Sequence, residues 1–260
     1  MAGLSRFLSV LRLFDENKST WTVPDIAQRL KLPVSTVYRT VRELTASDFL
    51  EPAHEGHYRL GASFVEFDRR IRLTDPLVRF GQPMLREIGA QARLPCIALL
   101  ARLYGDTVMC VADFGTDHEG IISSYERGRP MPLTRGATSK MILAELPGRR
   151  LKKLLSIQAA ESRRPFRLKP EELMEELAFT KKRGFSITRG EIDKGLMGIA
   201  APVVAKDMGI AASLSLVVRA ADIDASIERR LTLLLVSSAS LLTAELTHPI
   251  DRRHGAARAG

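Results

Sequence analysis

Leu4, Leu8 and Leu11 recur at helical spacing, with Phe7 and Phe14 widening the stripe, which predicts a first helix over about 4–15. Asn17 to Thr20 is polar and reads as a loop. A second helix is predicted to start near Pro24, where a fixed φ suits the first turn and the missing N–H costs nothing. Ile26, Ala27 and Leu30 share its apolar face, and Lys31-Leu32-Pro33 makes the turn that follows. A third helix over about 34–46 turns Val37, Val41 and Leu44 inward and Ser35, Thr36, Tyr38, Arg39, Thr40 and Arg42 outward. Two strands come next, Phe49-Leu50-Glu51 and His57-Tyr58-Arg59-Leu60, around Pro52-Ala53-His54-Glu55-Gly56 with glycine at a turn position. Two short helices, a tight turn and a β-hairpin in this order predict a winged helix-turn-helix over residues 1–60.

Residues 61–76 carry Phe64, Phe67 and Ile71 on one helical face and Glu66, Asp68, Arg69, Arg70 and Arg72 elsewhere. A short amphipathic helix must lie on a domain or pair with its copy in a second subunit. Beyond Pro76 a helix over about 77–92 precedes two apolar runs, Cys96 to Leu103 and Thr107 to Phe114, that read as a hairpin about Tyr104-Gly105-Asp106. Gly198 to Val204 and Gly209 to Val218 form a second hairpin about Lys206-Asp207-Met208. In its last strand Ser213, Ser215 and Val217 alternate with Leu214, Leu216 and Val218. Helices fit about 137–146, 148–157, 170–183 and 222–246, and a strand fits 185–189. The fold class is therefore α+β: an N-terminal winged helix-turn-helix, a linker helix, and a C-terminal domain over 77–247 with helices packed on an antiparallel sheet. The Arg-, Gly- and Ala-rich tail 248–260 is expected to be disordered.

Composition narrows the class. A chain of 260 residues that is 45% hydrophobic can bury a core in each of two domains. The net charge of +9 suits a polyanionic partner. Its distribution does not locate that partner, because residues 1–75 hold eleven basic against ten acidic side chains. Most of the excess lies in runs such as Arg149-Arg150-Leu151-Lys152-Lys153 and Lys181-Lys182-Arg183, which read as solvated helix faces. No apolar run reads as membrane-spanning, and Arg6 and Arg12 interrupt the N-terminus, which argues against a secretory signal. Cys96 and Cys110 have no CxxC spacing and no nearby histidine, so a reduced cytoplasmic protein without structural zinc is expected.

The exposed set on the third helix has the chemistry of DNA reading. Hydroxyls and N-terminal amides hold phosphates, and arginine bonds two acceptors on a guanine edge at once. In the second domain Gly136-Ala137-Thr138-Ser139 opens the apolar helix Met141–Leu146. A small-residue loop at a helix start exposes N–H groups and a positive dipole end, which suits a carboxylate, and Arg135 stands beside it. Ser215 is polar within an apolar strand and needs a partner. An enzymatic reading would rest on Asp117-His118-Glu119, but adjacent loop residues do not converge readily on one ion or reaction centre. An architectural DNA-binding protein would not need the Gly136–Lys140 loop, and a constitutive regulator would keep the fold without sensing.

The chain resembles the IclR family of bacterial regulators. IAQRLKLPVSTVYRTVREL and FLEPAHEGHYRLG match its DNA-binding half, while RPMPLTRGATSKMILAELP and RGFSITRGEIDKGLMGIAAPVV look like its two effector-domain signatures. The resemblance implies DNA contacts from Ser35, Thr36, Tyr38, Arg39 and Arg42, with Arg59 of the wing added to that set. It implies a GAF-like effector domain that binds a small organic acid through Gly136, Ala137, Thr138, Ser139, Thr188, Gly198 and Ser215, to which Arg135 is added from its place beside the loop. It also implies a homodimer or dimer of dimers on a pseudo-palindromic operator in double-stranded DNA, acting as a repressor or, through the same contacts, an activator. No cofactor or metal is implied. Two departures stand out. Asp48 follows the recognition helix where the family usually has glycine, and aspartate tolerates the left-handed turn better than most residues. The wing tip His54-Glu55-Gly56-His57 lacks lysine and arginine. Thr188 and Gly198 stand where family members often place other polar groups, which implies a roomier, less polar site and an aromatic or medium-sized acid.

Overall fold

The computed structural model describes residues 3–116, 121–161 and 170–247. Asp117-His118-Glu119 and the tail 248–260 lie outside the described residues. The chain divides into two compact units, Met1–Asp75 and Pro76–Gly260.

The first unit runs α1 (Gly3–Leu11), β1 (Trp21–Thr22), α2 (Val23–Leu30), α3 (Val34–Ala46), β2 (Leu50–Pro52), β3 (His57–Leu60) and α4 (Ser63–Thr74). Val10, Ile26, Ala27, Val37, Val41, Leu44 and Leu50 form its core, so the helical stripes read from the sequence do converge. Thr22 caps α2 by accepting from the Asp25 amide at 3.3 Å. Lys31 closes α2 in the left-handed conformation at φ 54°, its N–H directed to the carbonyls of Ala27 and Gln28. Asp48 makes the corresponding turn after α3 at φ 56°. Its amide donates to Thr45 O, and the Phe49 amide to Leu44 O, so carbonyls at the end of α3 find partners.

Three expectations are corrected. The first helix ends at Leu11, because Asp15 Oδ1 accepts from the amides of Asn17 and Lys18 and turns the chain. Phe49 precedes the strand, which is Leu50–Pro52. The hairpin is joined by Trp21–Thr22, giving a three-stranded sheet in the order β1-β3-β2 with Trp21 opposite Tyr58. The amphipathic linker helix forms as α4. The Phe64 and Phe67 rings lie 5.6 and 5.9 Å from Phe49, so α4 docks on its own unit, while Val65, Ile71 and Leu73 stay exposed.

The second unit runs α5 (Pro76–Ala92), β4 (Cys96–Tyr104), β5 (Thr107–Gly115), β6 (Pro130–Met131), α6 (Ala137–Glu145), α7 (Gly148–Glu161), α8 (Pro170–Arg183), β7 (Ser186–Arg189), β8 (Leu196–Ala205), β9 (Ile210–Arg219) and α9 (Ala225–Thr247). Among the described residues its strands make one antiparallel sheet in the order β6-β5-β4-β9-β8-β7. The period-two alternation divides the core into two layers. Met197, Ile199 and Ala201 of β8 and Leu214, Leu216 and Val218 of β9 pack with α5 and α9. Ala200 and Val217 face the other way, toward α6, α7 and α8. Ser213 and Ser215 share that second face and are fully buried.

By length and composition alone α9 is apolar enough to cross a membrane. It buries Leu231, Leu235, Ala239, Leu242 and Leu246 against the sheet and α5, so it serves as a core helix. Its Arg230 also caps α5, donating to the carbonyls of Gln91 at 3.1 Å and Ala92 at 2.8 Å. The basic run Lys181-Lys182-Arg183 occupies the last turn of α8, opposite Glu171 and Glu172 in its first, an arrangement that complements the helix dipole.

Candidate functional site

In the first unit α3 presents Ser35, Tyr38, Arg39 and Arg42 to solvent, with Thr36 half-buried among them. Tyr38 is 60% exposed, unusual for a large aromatic without a partner. Thr40 is a correction: the sequence placed it outward, yet it is completely buried. Its hydroxyl donates to Thr36 O at 3.0 Å and accepts from Arg6 Nε at 2.9 Å. Arg6 of α1 is thereby held against the recognition helix. The sequence reading missed it because only its break in the α1 stripe marked it. On the wing, Arg59 pairs with Glu51 at 2.5 Å, which offsets the one charge expected to reach phosphate. His54 and His57 stack with ring centroids 5.1 Å apart.

In the second unit a small cavity opens at the N-terminus of α6. Tyr125, Gly136, Ala137, Thr138, Thr188, Gly198 and Val217 line it, together with Glu191, Ile192 and Asp193 of the β7–β8 connection. Gly136 sits at φ 81°, ψ 148°, a conformation open to glycine alone, and this aims the first turn of α6 into the cavity. The first four amides of a helix lack intrahelical partners. Here the Gly136 amide donates to Glu191 Oε2 at 2.9 Å and the Ala137 amide to Thr188 Oγ1 at 3.0 Å. Thr138 Oγ1 donates to Ser215 Oγ at 3.0 Å, and Ser213 Oγ donates to Thr138 O at 3.2 Å. The buried serines of β9 are thus satisfied through α6.

Gly136, Ala137 and Thr138 of the loop, with Thr188 and Gly198, line the cavity, and Ser215 stands behind it, bonded to Thr138. Two further residues do not line it. Arg135 is exposed and donates to the Glu191 carbonyl, away from the cavity. Ser139 is fully buried and does not line the cavity; its hydroxyl has no partner. The expected roominess is also corrected. The cavity holds about 20 Å³, room for one water. A Cβ at position 136 would meet Tyr125 Oη at 2.4 Å and Ile192 Cγ1 at 2.8 Å, so these side chains close the space over Gly136.

Three participants were not legible in the sequence. Lys140 is buried, its Nζ donating to Glu176 Oε1 at 2.7 Å and Glu191 Oε1 at 2.8 Å. Glu191 thus joins the α6 amide to a buried cation. Tyr125 is held over the cavity by its neighbours: Ser124 donates from its amide to Asp193 Oδ2 at 2.9 Å and from its hydroxyl to Asp193 Oδ1 at 2.5 Å. Burial pushes the Tyr125 phenol up to about 12, reinforced by the charges of Asp193 and Glu191 and partly offset by the Thr138 hydroxyl beside it. It stays protonated, and so a donor, across the physiological range.

Among the described residues no group of three His, Cys, Asp or Glu side chains is placed to hold a metal ion. The sequence of residues 75–243 matches the family described as Bacterial transcriptional regulator IclR C-terminal, and residues 3–53 match the IclR helix-turn-helix domain. The chain is 28% identical to the transcriptional repressor IclR of Escherichia coli over 213 residues, covering 76% of this chain and 73% of that one. It is 23% identical to the regulator KipR of Bacillus subtilis over 215 residues, covering 80% and 82%. Its fold is shared with an IclR transcriptional regulator from Alicyclobacillus acidocaldarius at TM-score 0.77, 21% identity and coverage of 95% and 99%. It is also shared with an IclR homolog from Microbacterium hydrocarbonoxydans, complexed with 4-hydroxybenzoate, at TM-score 0.76, 23% identity and coverage of 94% and 99%. A helix-turn-helix with an exposed reading helix, an α+β domain with a polar cavity at the start of α6, and matches spanning both units lead to one assignment: the chain belongs to the IclR family of bacterial transcriptional regulators, which are DNA-binding proteins and not enzymes.

Proposed function

We propose that this chain represses transcription from a specific operator and that a small organic carboxylic acid, seated at the N-terminal turn of α6, controls its DNA binding. The observation that carries this reading is the convergence of the α6 N-terminus with the hydroxyls of Thr138, Thr188 and Tyr125 in one small pocket, Ser215 backing it through Thr138. Helix amides and hydroxyls together make a carboxylate site. The walls formed by Ile192, Leu196 and Val217 suit an apolar body on the acid, and the homolog bound to 4-hydroxybenzoate favours an aromatic one. The cavity must widen to admit it, and the Ile192 side chain, which closes the space over Gly136, is the wall that would move.

On the DNA side Ser35, Thr36, Tyr38, Arg39 and Arg42 contact the operator from α3. Arg59 contributes less, because Glu51 already neutralises it. The exposed apolar positions Val65, Ile71 and Leu73 on α4, with Leu4 and Leu8 on α1, favour pairing with a second copy. Two copies of α3 would then read a pseudo-palindrome in the cytoplasm. Footprinting of the DNA upstream of neighbouring genes, with pyruvate, benzoate and 4-hydroxybenzoate added in turn, tests the reading. Protection that one acid alters supports it.

A second reading has its own support. Glu191 already places a carboxylate on the Gly136 amide, and the closed cavity has space for one water. A constitutive regulator with a vestigial effector domain would look like this. Protection that no acid changes, together with no thermal shift by any acid, favours that second reading.

A further inference from the structure

The cavity contains one polar group that the protein itself leaves unused. Tyr125 is 7% exposed, and its hydroxyl, although near enough to that of Thr138 to feel it, completes no hydrogen bond of good geometry. A buried hydroxyl without a partner is costly, and such groups are few in folded proteins. The oxygen lines the cavity and lies 2.4 Å from where a Cβ on residue 136 would stand, directly over the first turn of α6. Its position is fixed from behind. The Tyr125 amide donates to Ser123 Oγ at 3.1 Å, and Ser124 is bound twice to Asp193. The phenol is thus braced in place while its polar end is left open.

The other groups on the cavity are engaged. Glu191 takes the Gly136 amide, Thr188 takes the Ala137 amide, and Thr138 donates to Ser215. We propose that Tyr125 is the residue that selects the effector, donating its hydroxyl hydrogen bond to a carboxylate oxygen of a small monocarboxylic acid seated over Gly136. The proposal rests on the effector reading above and extends it to a residue outside the two signature motifs. Nothing transfers; the phenol keeps its proton and the acid binds as the anion. Because Glu191 already lies on the Gly136 amide, an incoming anion meets a like charge there. A neutral donor on the opposite wall is the group that makes anion binding favourable without requiring Glu191 to leave.

The experiment uses the full chain and its Tyr125→Phe variant. First, thermal unfolding is compared without added acid. The hydroxyl completes no well-formed hydrogen bond that the variant would lose, so the variant is expected to unfold at the same temperature or up to about 4 °C higher. A clear fall in its unfolding temperature means that the hydroxyl has a structural partner, and overturns the proposal. Second, calorimetric titrations with pyruvate, benzoate and 4-hydroxybenzoate are run on both proteins. The acid that binds the native chain is expected to bind Tyr125→Phe about 10- to 100-fold more weakly, as a lost bond to a charged group requires. Affinities within twofold overturn the proposal and leave the effector reading standing. If none of the acids binds even the native chain, both fall together.

Discussion

Lys140→Met tests how the effector cavity is held together. The substitution keeps an unbranched apolar stem and removes the ammonium with both of its hydrogen bonds. In the native chain Lys140 has a side chain 3% exposed and bonds Glu176 and Glu191 at 2.7 and 2.8 Å, with those carboxylates 34% and 17% exposed. Removing one partner from a buried ion pair typically costs about 3–5 kcal/mol, because the remaining charge is left without compensation. Two features place this case at the low end. Glu176 can turn to solvent, and Glu191 keeps the Gly136 amide. A loss of about 2–3 kcal/mol follows, which for a unit of this size lowers the unfolding temperature by about 5–10 °C. Denaturant and thermal unfolding of the full chain would measure it. The double variant Lys140→Met with Glu191→Gln should recover at least about 1 kcal/mol, since it removes the orphaned charge as well. A loss below about 0.5 kcal/mol in the single variant, or no recovery in the double, would refute the argument that Lys140 organises the α6 turn.

Other outcomes follow from single observations. Asp48→Gly relieves a left-handed residue worth about 1–2 kcal/mol and adds unfolded-state freedom worth about 0.5–1 kcal/mol, so stability should rise slightly in urea unfolding. A fall would show that the Asp48 side chain does more than occupy the turn. Gly136→Ala forces a side chain into φ 81° and against Tyr125; unfolding measurements should show a loss of about 2–4 kcal/mol, and acid binding should disappear. Arg39→Ala should weaken operator binding about 10- to 100-fold in gel shifts at fixed salt, with an unchanged circular dichroism spectrum. Burial, with the nearby Asp113 charge, pushes the Cys110 thiol up to about 12 from 9. The unfolded chain therefore gives up this proton first as pH rises, and the contribution to stability, complete below about pH 9, is lost between there and 12. Denaturation midpoints across that window should fall, less steeply in Cys110→Ala.

The sequence carried the elements further than it carried their contacts. Period-3.6 and period-2 patterns located α3, β4, β5, β8 and β9 within a residue or two, because each buries a continuous face, while β3 was marked by the turn glycine before it. Trp21–Thr22 was invisible as a strand since two residues carry no period. Thr40 was misread because a polar residue next to an apolar stripe looks solvated; only the arrival of Arg6 from α1 makes its burial affordable. The cavity was half legible. Gly136 to Thr138 declared themselves as small residues opening a helix. Tyr125 lies in an irregular stretch with no pattern to mark it. Nothing in the sequence pairs Lys140 with Glu191, because their contact spans 51 positions. The expected roominess failed for a related reason: residues distant in sequence, Tyr125 and Ile192, fill what Gly136 leaves open.

The central claim is that one chain joins an operator-reading α3 to an acid-responsive cavity at α6. Footprinting of the upstream DNA by the full chain, titrated with and without 4-hydroxybenzoate and benzoate, measures both halves in one experiment. The account predicts a protected pseudo-palindrome, lost in Arg39→Ala, whose protection by the native chain shifts with one of the acids. Protection that Arg39→Ala retains unchanged, or that no acid alters, would contradict it.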